Sequence, residues 1–182
     1  HGQETVGYEG QLKKVALMGY GYQAPDVEKI EIAEGRFFSK EEEDSLAGVA
    51  VLGPTVKKYF WGDAEATGKN ITIRGKTFRI VGTLKPRGSA FFMDMDDLIL
   101  LPTKTIQKRL LGIEYIHMII ARMRDTNQSE KTAEELAELI RINHHVENPE
   151  RDDFAVNTMA EAQSVLKNVT GGLTLLLVAL VC

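Results

Sequence analysis

Short apolar runs and alternations along the chain predict a mixed set of strands and helices. Val15, Ala16 and Leu17 mark a strand over residues 14–18 that ends in Gly19-Tyr20-Gly21, and an apolar segment over 27–32 follows Pro25. The run Gly48-Val49-Ala50-Val51-Leu52-Gly53 is bounded by glycines, as in a strand buried on both faces. Pro54 then suits the first turn of a helix whose Val56, Tyr59 and Phe60 share one face, with Trp61-Gly62 at its end. Alternation reappears at Ile71 and Ile73, and again at Phe78 and Ile80, with Gly75-Lys76 as the turn of a hairpin. Leu98-Ile99-Leu100-Leu101 is a second buried strand, stopped by Pro102. A short helix over 103–111 turns Ile106, Leu110 and Leu111 inward. Residues 115–123 carry apolar side chains on both faces and read as a central strand, with His117 as a core histidine.

The last third is helical in pattern. Ala133, Leu136, Ala137 and Ile140 follow the i, i+3, i+4, i+7 rule over 130–143, with Ser129 or Asn127 as cap. Glu130, Glu134 and Glu135 sit near the positive end of that helix, and Arg141, His144 and His145 near the negative end. Residues 154–156 read as a short strand. Thr158 with Glu161 three residues later starts a last helix. Lys167 is the final charge; the ten residues 173–182 are almost pure hydrocarbon. A spanning helix needs about 20 such residues. The stretch lacks the polar stripe of a soluble helix, so it reads as the first half of a membrane span. The chain opens at His1 without a basic and apolar leader, and reads as a fragment.

Composition narrows the class. The 182 residues carry 22 Lys and Arg against 26 Asp and Glu, a net charge of −4, which argues against a general nucleic-acid binder. A 43% hydrophobic and 26% charged content is that of a globular chain, not a disordered one. One cysteine, Cys182, excludes an internal disulfide framework and multi-cysteine metal sites.

Few residues suggest chemistry. Gly19-Tyr20-Gly21 lacks the third glycine of a dinucleotide loop. Gly62 to Gly68-Lys69 is one residue too long for a phosphate loop, and Asn70 stands where a magnesium-binding hydroxyl belongs. His144, His145, Asp152 and Asp153 are of the types that hold zinc or manganese, but histidines at a helix C-terminus already serve the dipole. That reading would make the chain a soluble metal-dependent enzyme and stands as a distant alternative. Asp94, Asp96 and Asp97 read as a solvated loop entering a strand. The adjoining Phe91, Phe92 and Met93 are the candidate partner-binding residues, as an exposed apolar loop that could dock a protein. No serine, cysteine or carboxylate pair stands in a catalytic spacing.

Taken in order, several segments resemble the extracytoplasmic core domain of MacB-like ABC transporter permeases, in the FtsX-like permease family. They are the stretch from Val27 to Gly35-Arg36-Phe37-Phe38, Val49-Ala50-Val51-Leu52-Gly53, Tyr59-Phe60-Trp61-Gly62, Thr67-Gly68-Lys69-Asn70-Ile71-Thr72-Ile73, Phe78-Arg79-Ile80-Val81-Gly82, Asp96-Asp97-Leu98-Ile99-Leu100-Leu101-Pro102 and Asp152-Asp153-Phe154-Ala155-Val156. Ala66 departs from the proline usual there. The resemblance implies an α+β fold of two lobes, with membrane-proximal βαβ units over 1–29 and 113–160 and a small inserted α/β lobe over 30–112. A connecting helix and the start of a transmembrane helix would follow over 161–182. It implies a non-enzymatic domain without a cofactor, on the periplasmic side of the bacterial inner membrane. Its partners would be an ABC ATPase, a second permease copy, a periplasmic adaptor and an outer-membrane channel. Its role would be to transmit ATP-driven motion for efflux of drugs or peptides. A lipoprotein-releasing or signalling permease, whose outer domain binds a protein, is the alternative.

Overall fold

The computed structural model describes residues 2–90 and 93–161, together with Ser164. The chain divides into two compact units, His1–Arg122 and Met123–Cys182.

The first unit is built on a closed sheet. Strands β1 (Gly2–Tyr8) and β2 (Gln11–Tyr20) form an antiparallel hairpin. Helix α1 (Ala24–Glu28), β3 (Ile32–Gly35), α2 (Lys40–Asp44), β4 (Val49–Leu52) and α3 (Pro54–Trp61) follow. Then come β5 (Asn70–Ile73), β6 (Lys76–Leu84), a two-stranded ribbon of β7 (Ser89–Ala90) and β8 (Met93–Asp94), and β9 (Leu98–Pro102). Strand β6 pairs with β4, β4 with β9, β9 with β2, β2 with β1, and β1 with β5. Strand β5 then returns to β6, so six strands close into a barrel without a free edge between them. The far half of β6 carries β3 along its outside, through Ile32 to Leu84 and Gly35 to Gly82.

Two apolar cores explain why β4 and β9 read as unbroken hydrophobic runs. Their alternate residues serve opposite faces. Ala50, Leu52, Ile99 and Leu101 fill the barrel with Val6, Val15, Ile71, Ile73, Phe78 and Ile80. Val49, Val51, Leu98 and Leu100 face outward onto Ala24, Ile30, Phe38 and Leu84. Each large side chain buried this way stabilises the fold by about 1.5–3 kcal/mol. Helix α3 sends Val56, Phe60 and Trp61 into the barrel core, while Tyr59 is exposed and its hydroxyl donates to the Leu12 carbonyl at 3.2 Å. Helix α2 is nucleated by a reciprocal cap: Ser39 Oγ accepts from the Glu42 amide, and the Glu42 carboxylate accepts from the Ser39 amide. The Arg36 guanidinium grips the same carboxylate with two bonds of 2.7 Å, which holds Glu42 below its ordinary pKa. Buried Glu43 accepts from the Tyr22 amide at 2.8 Å.

The hairpin of β5 and β6 is present, but its turn is Arg74-Gly75 rather than Gly75-Lys76. Both residues have positive φ, 49° and 71°, as the tight turn that matches strand twist requires. Strand β1 is absent from the sequence expectation: of residues 3–8, Val6 alone is fully buried, so its pattern is mostly polar. Because β1 and β2 belong to the same barrel as β4, β6 and β9, residues 1–29 are not part of a lobe separate from 30–112. The backbone of β2 is filled by β1 on one side and β9 on the other. After β9, helix α4 (Thr103–Thr105) runs into a π-helical stretch, Ile106–Leu111. The wider turn shifts the side-chain phase: Ile106 is buried and Leu110 packs on the core, but Leu111 is exposed.

Residues 115–123, expected as a central strand, form no strand, and Tyr115, Ile116, His117, Met118, Ile119 and Ile120 are exposed. A strand exists only with a neighbour to take its backbone hydrogen bonds, and no described element supplies one.

In the second unit, α5 spans Ser129–His144. Its cap is neither Ser129 nor Asn127; Asp125 accepts from the Asn127 amide and starts a short 3₁₀ turn, Thr126–Gln128, ahead of it. Ala133, Ala137 and Ile140 are half-buried, but Leu136 is exposed together with Leu139 and Ile142. His145 closes the helix in the left-handed conformation, and the Val146 amide reaches back to the Arg141 carbonyl at 3.0 Å. Residues 154–156 form no strand. The final helix begins as expected: the Thr158 amide donates to Glu161 at 2.7 Å, and Thr158 Oγ1 accepts from the Glu161 amide at 3.1 Å. The apolar stretch 173–182 lies outside the described residues. Among the described residues, no helix is long and apolar enough to cross a membrane.

Candidate functional site

The apolar triplet proposed for partner binding is carried by the β7–β8 ribbon. Ser89 pairs with Asp94 and Ala90 with Met93; Phe91 and Phe92, between them, lie outside the described residues. The base of the ribbon is built by the acidic residues that follow it. Asp94 Oδ1 accepts from the amides of Asp96 at 2.8 Å and Asp97 at 3.2 Å, which bends the chain back toward β9. The Asp96 carboxylate accepts from the amides of Arg87 at 2.7 Å and Gly88 at 3.1 Å, so it ties the entering arm to the leaving arm. Gly88, with a φ of 72°, supplies the left-handed step the entering arm needs, and its carbonyl accepts from the Met95 amide.

Three contacts pin this base to the barrel. Lys13 of β2 meets both Asp97 carboxylate oxygens at 2.6 Å. The Thr55 amide of α3 donates to the Asp96 carbonyl at 3.1 Å. Arg87 approaches Glu28 of α1 at 3.9 Å, and Glu28 also accepts from Tyr20 Oη at 3.3 Å. Burial, followed by the Glu28 carboxylate, pushes the Tyr20 phenol up to about 12. The acidic cluster is therefore a set of fasteners rather than a solvated loop. Its signal in the sequence is Asp at positions two and three before the backbone groups its side chain can reach.

The remaining candidates disperse. His144 Nδ1 lies 2.8 Å from Asp153 Oδ1, a bond that holds the Asp153 carboxyl below its ordinary range. Arg141 takes both oxygens of Asp152 at 2.9 Å from Nε. Among the described residues, no group of three or more His, Cys, Asp or Glu side chains converges as a metal site would require. The loop from Gly62 to Lys69 is knitted to the barrel: the Gly68 amide donates to the Ile80 carbonyl at 2.8 Å, and Lys69 lies over the Trp61 ring. Its amide is thus unavailable to a phosphate. Gly19-Tyr20-Gly21 runs from the end of β2, where Tyr20 aligns with Pro102 of β9, into the short loop before α1, and Ala24 at the start of that helix stands where a dinucleotide loop needs its third glycine. An open groove of about 760 Å³ lies beside the β1–β2 turn, lined by Tyr8, Leu12, Lys69, Asn70 and Arg74. Arg74 is engaged there by Glu4 at 2.5 Å.

The model of one family, the MacB-like periplasmic core domain, matches residues 2–139. The chain belongs to that family. This MacB-like domain is 35% identical over 147 residues to a macrolide export ATP-binding/permease protein MacB of Bdellovibrio bacteriovorus, a match covering 80% of this chain and 23% of the relative. The chain spans about a quarter of the length of the curated relatives it matches. In fold it is similar to the periplasmic region of MacB from Actinobacillus actinomycetemcomitans, with a TM-score of 0.71 and 21% identity; 92% of this chain and 72% of that one are covered. The extracellular domain of the noncanonic ABC-type transporter YknZ from Gram-positive bacteria is also similar, at a TM-score of 0.64 and 18% identity, covering 79% and 72%. The expected kinship to MacB-like permeases and the mixed α/β class are thereby shown, and the MacB-like domain stands on the periplasmic side of a membrane.

Proposed function

We propose that this domain transmits motion in an export permease: cytoplasmic ATP hydrolysis moves it, and it passes that movement to a periplasmic adaptor and through it to an outer-membrane channel. The match of the periplasmic-core family over residues 2–139 carries the reading, with relatives named as macrolide export ATP-binding/permease proteins. The architecture supports it. A barrel whose strands have no free edge between them deforms little and is suited to carrying force. The ribbon bearing Phe91, Phe92 and Met93 is fastened to that barrel at its base, so a partner held there would move with it. The domain would work as a pair, one from each of two permease copies, beside an ABC ATPase. The cargo would be a drug or a peptide.

The test uses the full-length permease. Changing Phe91 and Phe92 together to serine is expected to abolish co-purification of the adaptor while ATP hydrolysis and melting temperature stay unchanged. Undiminished capture would remove the ribbon from the interface. Capture of a lipoprotein chaperone in place of the adaptor would replace export with lipoprotein release.

A further inference from the structure

Where β3 docks on β6, three buried oxygens have no hydrogen-bond partner among the described residues: Glu34 Oε2, Thr67 Oγ1 and Thr83 Oγ1. Buried polar groups in folded proteins are paired, either with protein or with ordered water. Glu34 and Thr83 stand opposite each other in the antiparallel pair, so their side chains share a face. A bulge between Ile32 and Glu34 decides which face that is. Ile32, opposite Leu84, packs on the outer core; the extra residue turns Glu34 to the other side of the strand. There Thr83 aligns with Leu52 of β4, whose side chain fills the barrel. A carboxylate oxygen and a hydroxyl are thus buried on the interior side, and Thr83 is only 3% exposed. Thr67 Oγ1 lies 3.1 Å from the position of a Cβ on Gly35, the residue after Glu34.

The charges at this seam select the occupant. Lys57 of α3 reaches Glu34 Oε1 at 3.3 Å, so the carboxylate is already neutralised from that side. A hard metal cation would add an uncompensated charge and would need about six oxygens, more than the described residues offer here. An anion would be repelled by Glu34. A small neutral group that both donates and accepts fits: it gives one hydrogen to Glu34 Oε2 and accepts the hydrogen of the Thr83 hydroxyl. Water is that group. We propose that one ordered water molecule bridges Glu34 Oε2 and Thr83 Oγ1 and ties β3 to β6 on the interior side, next to the Lys57 contact from α3. The assignment is independent of the transport role proposed above.

The test is a crystal structure of the 182-residue chain at a resolution that shows ordered water, with urea titrations of that chain and of its Thr83→Val variant. The expected density is one water at about 2.8 Å from both oxygens, lost in Thr83→Val. The direction of the stability change is the second readout, and it needs no crystal. Valine keeps the shape of threonine. Removing a hydroxyl that is truly unpaired relieves a cost and raises the urea midpoint. Removing a hydroxyl that holds a water leaves Glu34 Oε2 unpaired, so the midpoint is expected to fall by roughly 0.5–1 M. Each of the following would overturn the assignment: no density between the two oxygens, a direct bond between them, a peak ringed by five or more oxygens as a cation requires, or a midpoint that rises or stays the same.

Discussion

Replacing Gly82 with alanine perturbs the place where β3 docks on the barrel wall. A Cβ built on Gly82 lies 2.2 Å from the Arg36 carbonyl oxygen, 2.9 Å from the Arg36 nitrogen and 3.0 Å from its carbonyl carbon. The first distance is roughly 1 Å inside ordinary contact, and all three neighbours are backbone, which has no rotamer to escape into. Relief requires moving the Gly35–Arg36 segment off β6. That movement breaks the bond from the Arg36 amide to the Val81 carbonyl, now 2.9 Å, and the pairing of Gly35 with Gly82. Overpacking costs about 1–3 kcal/mol, and the lost hydrogen bond adds about 1 kcal/mol. The sum, about 2–4 kcal/mol, is a large share of a domain stability of about 5–15 kcal/mol. Urea denaturation should show the midpoint falling by about 1–2 M with little change in slope. Gly21→Ala is the control, because only Glu43 Oε2 at 3.9 Å approaches its Cβ and its φ is not positive; it should shift stability by less than about 0.5 kcal/mol. A Gly82→Ala midpoint equal to that of the control would refute the reasoning.

Asp96→Ala removes the acceptor for two ribbon amides, so hydrogen exchange at Arg87 and Gly88 should quicken by roughly ten- to a hundredfold, whereas exchange in β4 stays as it was. Leu101→Ala leaves a hole in a fully buried stretch of the barrel core and should cost about 2–5 kcal/mol in a denaturant titration. Tyr20 keeps its proton in the folded state up to about 12, against 10.0 for the free group, so the unfolded chain releases it first as pH rises. Stability is therefore intact below pH 10 and declines between 10 and about 12, and Tyr20→Phe should flatten that decline in alkaline melting curves. Exposed Asp44 is held at about 2 by hydrogen bonds from Lys104 and Lys40, and a carboxyl titration followed by NMR should find its midpoint there, rising in Lys104→Met.

The strands buried on both faces, β4 and β9, are legible in the sequence because no polar residue is tolerated at any of their positions. Helix α3 and the β5–β6 hairpin are legible from their punctuation, Pro54 and Gly75. Strand β1 is not, since Gln3, Glu4 and Thr5 interrupt any apolar alternation and only Val6, with half-buried Tyr8 beside it, packs on the core. Barrel closure depends on Val6 meeting Ile73, a pairing between distant parts of the chain that no local pattern encodes. The run over 115–123 shows the converse: its strand chemistry is plain in the sequence, but a strand is a property of two segments. At the candidate site, the sequence draws attention to the aromatic pair and reads Asp94 and Asp96 as a solvated loop, whereas their side chains hold backbone amides, those of Arg87 and Gly88 being too far along the chain from Asp96 for a local pattern to show.

The claim that the domain transmits ATP-driven motion is tested most directly by measuring that motion. Leu12, exposed on the barrel, can be changed to cysteine and spin-labelled in the full-length permease, so that a pair of copies carries one label each. Pulsed electron resonance would then compare the label-to-label distance in the nucleotide-free state with that in the ATP-trapped state. A clear shift of the distance distribution between the two states, reversed when the nucleotide is removed, is the predicted result. Superimposable distributions in a preparation that still hydrolyses ATP would contradict it.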